Sequence, residues 1–350
     1  MKESAYNVCG RDAEGNHYLF NTRRGSAHVM SAGAYDDYCA AMNRAAGPEG
    51  ASETLRDLID KGFLVDNNAD ELSEIISAHQ KARQNREGLE LLIAPSMACN
   101  LDCFYCFESN RYAGRMSATV QSNVVRLVRR YFESGTKRLD VTWYGGEPLL
   151  AVCTMERLSK RLLSLCEEFG REYAAEIVTN GTLMDHEKAQ QLAAWSVKRA
   201  QITLDGVPEL HDARRVPKNR KPTFSRILDG IAAAAALMQV TVRVNVCREG
   251  AERLEELLQI LAARGLNRMV SVYVAPLQKL QDRKTQSPHL LQALEPSVVP
   301  RAGGEQLNEL DDREAADIEA RFVDLLWKYG FPASNRLPEP RYTTCMADKE

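Results

Sequence analysis

From residue 89 onward, short apolar runs alternate with longer stretches of helical period. Runs rich in β-branched and aromatic residues read as strands. Apolar positions spaced three and four apart read as helices. Strand-like runs fall at 89–94, 139–144, 174–179, 199–204, 240–246 and 268–274, and helical patterns at 118–132, 155–169, 187–195, 224–238 and 252–263 separate them. Ser117 offers an N-cap to the first helix, whose apolar positions are Val120, Val124, Leu127, Val128 and Tyr131. Strands regularly separated by helices imply parallel pairing under a layer of helices. About six units fall short of the eight of a closed barrel, so the pattern predicts an α/β fold, a partial (β/α)6 TIM-like barrel, over residues 86–280.

The first 85 residues break this rhythm. Strand-like runs at 17–22 and 27–31 flank Arg24-Gly25-Ser26, a hairpin turn signal, and Gly47-Pro48-Glu49-Gly50 separates helical stretches at 34–44 and 53–61. Gly62 stops the second helix. A short strand at 63–65 and a polar helix at 70–84 follow, with Leu72, Ile75, Ile76 and His79 on one face. This small α+β unit resembles a winged-helix-like module. It reads either as a cap on the next domain or as a peptide-binding module that uses an exposed strand edge. Beyond the barrel, residues 281–340 form a linker. It holds a loop broken by Pro288, Pro296, Pro300 and Gly303-Gly304, then a helix at 311–328 carrying Ile318, Phe322, Leu325, Leu326 and Trp327 mostly on one side. Residues 341–350 begin a further region around Cys345.

Composition narrows the class of function. A formal net charge of -3 over 350 residues gives no basic field, so nucleic acid is not an expected partner. No apolar run approaches the ~18 residues that cross a bilayer, and the N-terminus lacks the apolar stretch of a secretory signal. A cytoplasmic protein with no membrane partner is the expectation. There, nine cysteines are poor disulfide material, and clustered ones point to metal or redox chemistry. Cys9, Cys39, Cys153, Cys166 and Cys247 are scattered and read as small buried residues.

Cys99, Cys103 and Cys106 are not scattered. They fall within eight residues, spaced C-x3-C-x2-C. Thiolates are the usual ligands of iron–sulfur clusters, and three protein ligands leave one coordination position open for chemistry. They follow the first strand. In a parallel β/α fold chemistry gathers at the C-terminal strand ends, and the other unusual sequences lie at such ends too. Gly145-Gly146-Glu147-Pro148 follows the second strand, Thr179-Asn180-Gly181-Thr182 the third, and Asp205-Gly206 the fourth, with His211, Asp212, Arg214 and Arg215 beyond. Asn245 ends the fifth strand and Ala275-Pro276 the sixth.

Cys99, Cys103 and Cys106, with Tyr105 before the last of them and GGEP at 145–148, resemble the radical S-adenosylmethionine (SAM) superfamily over roughly residues 89–280. The resemblance implies a [4Fe–4S] cluster held by the three cysteines and S-adenosylmethionine on the open iron. It places Gly145 and Gly146 by the methionyl amino group and Glu147 as negative charge near a cationic ligand. It places Tyr105 at the adenine, Thr203 and Arg215 at the ribose and methionyl carboxylate, and Ala275 to Leu277 by the adenine. It also implies an external electron donor of flavodoxin or ferredoxin type. Thr203 to Arg215 look like the branch of peptide maturases and anaerobic sulfatase-maturating enzymes. That branch carries a C-terminal SPASM region with auxiliary [4Fe–4S] clusters, and Cys345 looks like its first cysteine in a chain truncated soon after. The implied substrate is a peptide or protein, with a thioether or carbon–carbon cross-link as product. Formylglycine formation on a sulfatase is the alternative, and a non-catalytic peptide-binding fragment a third reading.

Overall fold

The computed structural model describes residues 1–11, 15–43, 53–84, 87–106, 114–218, 220–277 and 310–333, which fall into two units, Met1–Asn85 and Arg86–Ala333. The first holds β1 (Lys2–Glu3), β2 (Asn7–Arg11), β3 (His17–Asn21), β4 (Ser26–Met30), α1 (Ala32–Asn43), α2 (Glu53–Asp60), β5 (Leu64–Val65) and α3 (Glu71–Gln84). Strands β2, β3 and β4 form an antiparallel sheet in that order, and β1 pairs with β5 in a separate antiparallel ribbon. The β3–β4 turn passes through Gly25 at φ +66°, where glycine is favoured. Buried Asn21 pins it, its Oδ1 accepting the backbone N–H of Arg23 and Arg24 at 3.1 and 2.8 Å. The core here is small: Leu19, Met30, Tyr38, Leu58, Phe63 and Leu64. On α3, Leu72 and Ile76 are exposed, so its apolar face is not buried.

The second unit runs β6 (Gly88–Ile93), α4 (Ala118–Glu133), β7 (Arg138–Trp143), α5 (Val152–Phe169), β8 (Glu172–Thr179), α6 (His186–Ala194), β9 (Val197–Leu204), α7 (Pro208–Arg214), α8 (Phe224–Ala235), β10 (Gln239–Val246), α9 (Arg248–Glu252), α10 (Leu254–Ala263), β11 (Val270–Pro276) and α11 (Asp312–Lys328). Its six strands lie in sequence order from β6 to β11, every neighbouring pair parallel. This is the partial barrel of the sequence pattern. Right-handed crossovers in one direction put the helices on one face. Leu139, Val141 and Trp143 of β7 and Val240, Val242, Val244 and Val246 of β10 are buried in the main core. The alternate positions carry polar side chains: Thr142 donates to Glu176 at 2.9 Å, and Arg199 pairs with Glu176 at 3.0 Å.

Several details depart from the sequence pattern. Helix α4 buries Gln121, Val128 and Phe132, leaving Val120, Leu127 and Tyr131 exposed. Residues 208–214, which lie beyond the fourth strand end, form the short helix α7, and the helix expected over 252–263 breaks at Arg253. Of the scattered cysteines only Cys166 and Cys247 are buried. Cys9 and Cys153 are exposed and Cys39 is half-buried. On α11, Ile318, Phe322 and Leu326 are buried, while Trp327 is exposed. The loop expected before it lies almost wholly outside the described residues, as does Cys345. Among the described residues no helix is long and apolar enough to cross a membrane.

Candidate functional site

All six strands of the second unit point the same way, so their C-terminal ends share one rim. The cysteine loop leaves β6 there. Cys99 and Cys103 are buried, Cys106 is half-buried, and none is in a disulfide. The loop is fastened on two sides. Leu101 bridges Pro217, and the Asp102 N–H donates to the Val216 carbonyl at 2.7 Å, which ties it to the segment after α7. Toward β8, Asn100 donates to Thr182 at 2.7 Å, and Asn180 donates to Asn100 at 2.9 Å and toward the Cys99 Sγ at 3.7 Å. The Leu101 N–H also points at that sulfur, 3.4 Å away. Burial pushes the Cys103 thiol up to about 11, against the pull of Arg215. Among the described residues no three His, Cys, Asp or Glu side chains converge on a single metal ion. Three cysteines outside any disulfide along one loop, with N–H donors aimed at a sulfur, fit a multi-iron cluster, in which each thiolate takes its own iron.

The loop after β7 packs directly on the cysteine loop. The Gly146 N–H donates to the Ser96 carbonyl at 3.2 Å and the Glu147 N–H to the Ala98 carbonyl at 2.8 Å. A Cβ on Gly146 would collide with the carbonyl oxygens of Met97 and Ala98, and one on Gly145, at φ +112°, with that of Ser96. The two glycines therefore let two backbones touch, before any role toward a ligand. The Glu147 carboxylate is wholly buried and accepts from Leu149 N–H at 3.0 Å, Thr179 Oγ1 at 2.8 Å and Asn180 N–H at 2.8 Å. It ties the second strand end to the third. Burial raises its pKa against these donors.

The fourth and fifth strand ends carry a polar cluster that residue-by-residue reading did not assemble. Tyr105, half-buried between two of the cysteines, donates its hydroxyl to Asp205 Oδ2 at 2.5 Å. The Tyr105 hydroxyl oxygen in turn accepts from Arg215 Nη1 at 2.9 Å and Asn245 Nδ2 at 3.3 Å. Asn245 also donates to Asp205 Oδ1 at 3.1 Å, and Arg215 stands 3.6 Å from that oxygen. Burial works against the Arg215 charge, but Tyr105 and Asp205 beside it outweigh this and raise its pKa. Burial, reinforced by Asp205, keeps the Tyr105 phenol protonated, so it can donate.

The residues after Asp205 support its turn. His211 is buried, and burial with nearby Arg215 pushes its pKa well below 6.5, so it is neutral. Its Nδ1 must accept the Asp205 N–H at 3.3 Å, which leaves the proton on Nε2, facing Thr223 Oγ1 at 3.2 Å. Asp212 accepts the N–H groups of Thr223 and Phe224 at 2.7 and 3.1 Å. Arg214 donates to the Asp205 carbonyl at 3.2 Å and to Cys247 Sγ at 2.9 Å. Thr203 is buried two residues before Asp205, beside Arg243 of β10. Leu277 is buried just past β11, its N–H on the Val246 carbonyl at 2.8 Å. Asn245, named from the sequence only as the end of the fifth strand, follows Gln239, Thr241 and Arg243 on the alternate positions and is the buried one of the four.

Residues 93–274 match the Radical SAM superfamily. The serine-type anaerobic sulfatase-maturating enzyme of Bacteroides thetaiotaomicron is 29% identical over 153 residues, 41% of this chain and 36% of that protein. The probable GTP 3',8-cyclase of Methanopyrus kandleri is 30% identical over 163 residues, 46% of this chain and 48% of that protein. Among solved structures, native anSMEcpe with bound AdoMet and Cp18Cys peptide matches at a TM-score of 0.55 and 19% identity, covering 70% of this chain and 63% of that one. That likeness shows a shared fold. This chain spans less than two thirds of the length of each of these proteins.

Proposed function

This chain belongs to the radical SAM superfamily, and we propose that it reductively cleaves S-adenosylmethionine at a [4Fe–4S] cluster held by Cys99, Cys103 and Cys106 and takes hydrogen from a peptide or protein substrate. The observation that carries this is the set of three cysteines, none in a disulfide, in one fastened loop at the rim of a parallel sheet. A cluster held there would supply the electron for reductive cleavage of the sulfonium C5′–S bond, the chemistry that prepares hydrogen-atom removal from the substrate. The protein binds, orients and excludes competing reactions. Cys99, Cys103 and Cys106 would hold the cluster, and S-adenosylmethionine would bind beside it through its methionyl amino and carboxylate groups. Arg215, whose forked donors suit a carboxylate, takes the latter. Thr203 takes the ribose, and Tyr105 and Leu277 border the adenine. A flavodoxin- or ferredoxin-type protein supplies the electron.

A peptide substrate, cross-linked through a thioether or carbon–carbon bond, is favoured by the resemblance of Thr203 to Arg215 to the peptide-modifying branch. The small unit at residues 1–85, whose three-stranded sheet ends at β2 and β4 among the described residues, can take an extended peptide as an added strand. Formylglycine formation on a sulfatase is the second reading, favoured by the similarity to the sulfatase-maturating enzyme. The test is anaerobic cluster reconstitution, then detection of 5′-deoxyadenosine after adding S-adenosylmethionine and reductant. The holoprotein is expected to form it and Cys103→Ala to form none. A silent holoprotein, or an unaffected variant, overturns the proposal.

A further inference from the structure

Resting on that reading, we propose that Tyr105, Asp205 and Asn245 are positioning residues for the carboxylate of S-adenosylmethionine: they hold the Arg215 guanidinium by one end and leave its Nε–H for that carboxylate. Arg215 is only 6% exposed, and a buried guanidinium needs acceptors for its N–H groups. Its Nη1 has one in the Tyr105 hydroxyl at 2.9 Å. Its Nε–H is buried with no partner among the described residues. An orphaned buried donor in an otherwise satisfied cluster points to an acceptor the protein itself does not provide. A carboxylate, which takes parallel bonds from a guanidinium, is the acceptor of matching shape and charge.

The rest of the cluster keeps Arg215 available. Asp205 is the nearby carboxylate that would otherwise capture it. It lies 3.6 Å from Nη1, beyond hydrogen-bond range, while one of its oxygens takes the Tyr105 hydroxyl and the other the Asn245 amide. Asp205 thus balances the buried positive charge without closing on it. The Tyr105 hydroxyl stands between the two, donating to Asp205 and accepting from Arg215. An aromatic ring alone would suffice to border an adenine, so the hydroxyl serves the orientation of Arg215. Asn245 Oδ1 accepts from Arg243 Nε at 2.9 Å, which sets the amide to donate toward Asp205 and Tyr105.

The test compares S-adenosylmethionine with its decarboxylated analogue, which keeps the adenosine and sulfonium but lacks the carboxylate. Dissociation constants for both are measured on anaerobically reconstituted wild type, Tyr105→Phe and Asp205→Asn. Loss of a buried charged hydrogen bond predicts that S-adenosylmethionine binds about tenfold to a hundredfold more weakly to the variants. The analogue should change by less than about twofold, because it has no group for Arg215 to hold. Iron content should be unchanged in Tyr105→Phe. A merely structural role weakens both ligands equally, and that result, or unchanged S-adenosylmethionine binding, overturns the inference. Tyr105→Phe removes a single oxygen and decides the matter if Asp205→Asn does not fold. A wild-type holoprotein that binds no S-adenosylmethionine fails the proposed function itself, and the inference with it; normal wild-type binding with unaffected variants fails the inference alone.

Discussion

The buried polar side chains at the rim are tied to named partners, and one has a consequence for acid stability. His211 is folded in its neutral form, its pKa held well below 6.5 by burial first and by Arg215 second. Unfolded, it returns to about the ordinary value of 6.5. Between its folded pKa and 6.5 the unfolded chain binds a proton that the native chain does not, so stability rises with pH in that window. The contribution is fully present above about pH 6.5 and is lost as pH falls toward the folded pKa, at up to ~1.4 kcal/mol per pH unit for one proton. Urea midpoints followed between pH 5 and 7 should show this slope, and His211→Gln, which can still accept from Asp205 but cannot titrate, should flatten it. A wild-type protein with no slope, or a variant with the same slope, contradicts the assignment. At this scale the sequence told which residue types stand at strand ends, since cysteine spacing, GGEP and HDARR are local strings. It could not tell that Glu147 turns inward onto Thr179 and Asn180, or that Tyr105, Asp205, Arg215 and Asn245 meet, because those contacts span 32 to 140 residues.

Between elements, what matters is how closely two rim loops approach. The loop after β7 lies on the carbonyls of the cysteine loop because Gly145 and Gly146 have no Cβ. In Gly146→Ala the methyl meets Met97 and Ala98 backbone, which cannot swing away like a flexible side chain. Overpacking of this kind costs roughly 1–3 kcal/mol. The expected outcome is a lower urea midpoint together with reduced iron uptake on reconstitution, since the displaced loop carries Cys99. Gly88→Ala, where a methyl meets nothing within 4 Å, is the matched control and should fall within about 0.5 kcal/mol of wild type. Normal iron uptake by Gly146→Ala would show that the loops can separate without disturbing the cysteines. The strands of this unit were legible because burial under helices imposes apolar alternation, as in Val240, Val242, Val244 and Val246. Strands β1 and β2 were not, because Lys2–Glu3 and Asn7–Arg11 carry little apolar signal and depend on partners far along the chain: Leu64–Val65 for β1, His17–Asn21 for β2. The face of α4 was misjudged for a related reason. Val128 is buried as its spacing implied and Val124 packs partly against the core, but Val120, Leu127 and Tyr131 are exposed and Gln121 and Phe132 complete the buried face.

For the whole molecule, the two units differ in the size of the core that holds them. Among the described residues, the main core of the second contains 46 buried hydrophobic side chains, that of the first 6. Domains of fewer than about a hundred residues bury proportionately less surface and are marginal, so residues 1–85 should unfold at lower denaturant. All three tryptophans, Trp143, Trp195 and Trp327, lie in the second unit, so their fluorescence is blind to the first transition. Far-UV circular dichroism sees helices and strands in both. In a urea titration the circular dichroism curve should therefore begin to fall before the fluorescence curve moves, and the early step should have the smaller m-value, because less surface is exposed. Coincident curves would mean that the units unfold as one and would sink the prediction. The separation also bears on function. A ligand that binds only the native state of one unit stabilises that unit by ~2.7 kcal/mol when present at about a hundred times its dissociation constant. If the S-adenosylmethionine site lies among Cys99, Thr203 and Arg215, adding it to the reconstituted protein should move the fluorescence transition and leave the early step in place. A peptide that docks on the strand edges of the first unit should do the reverse.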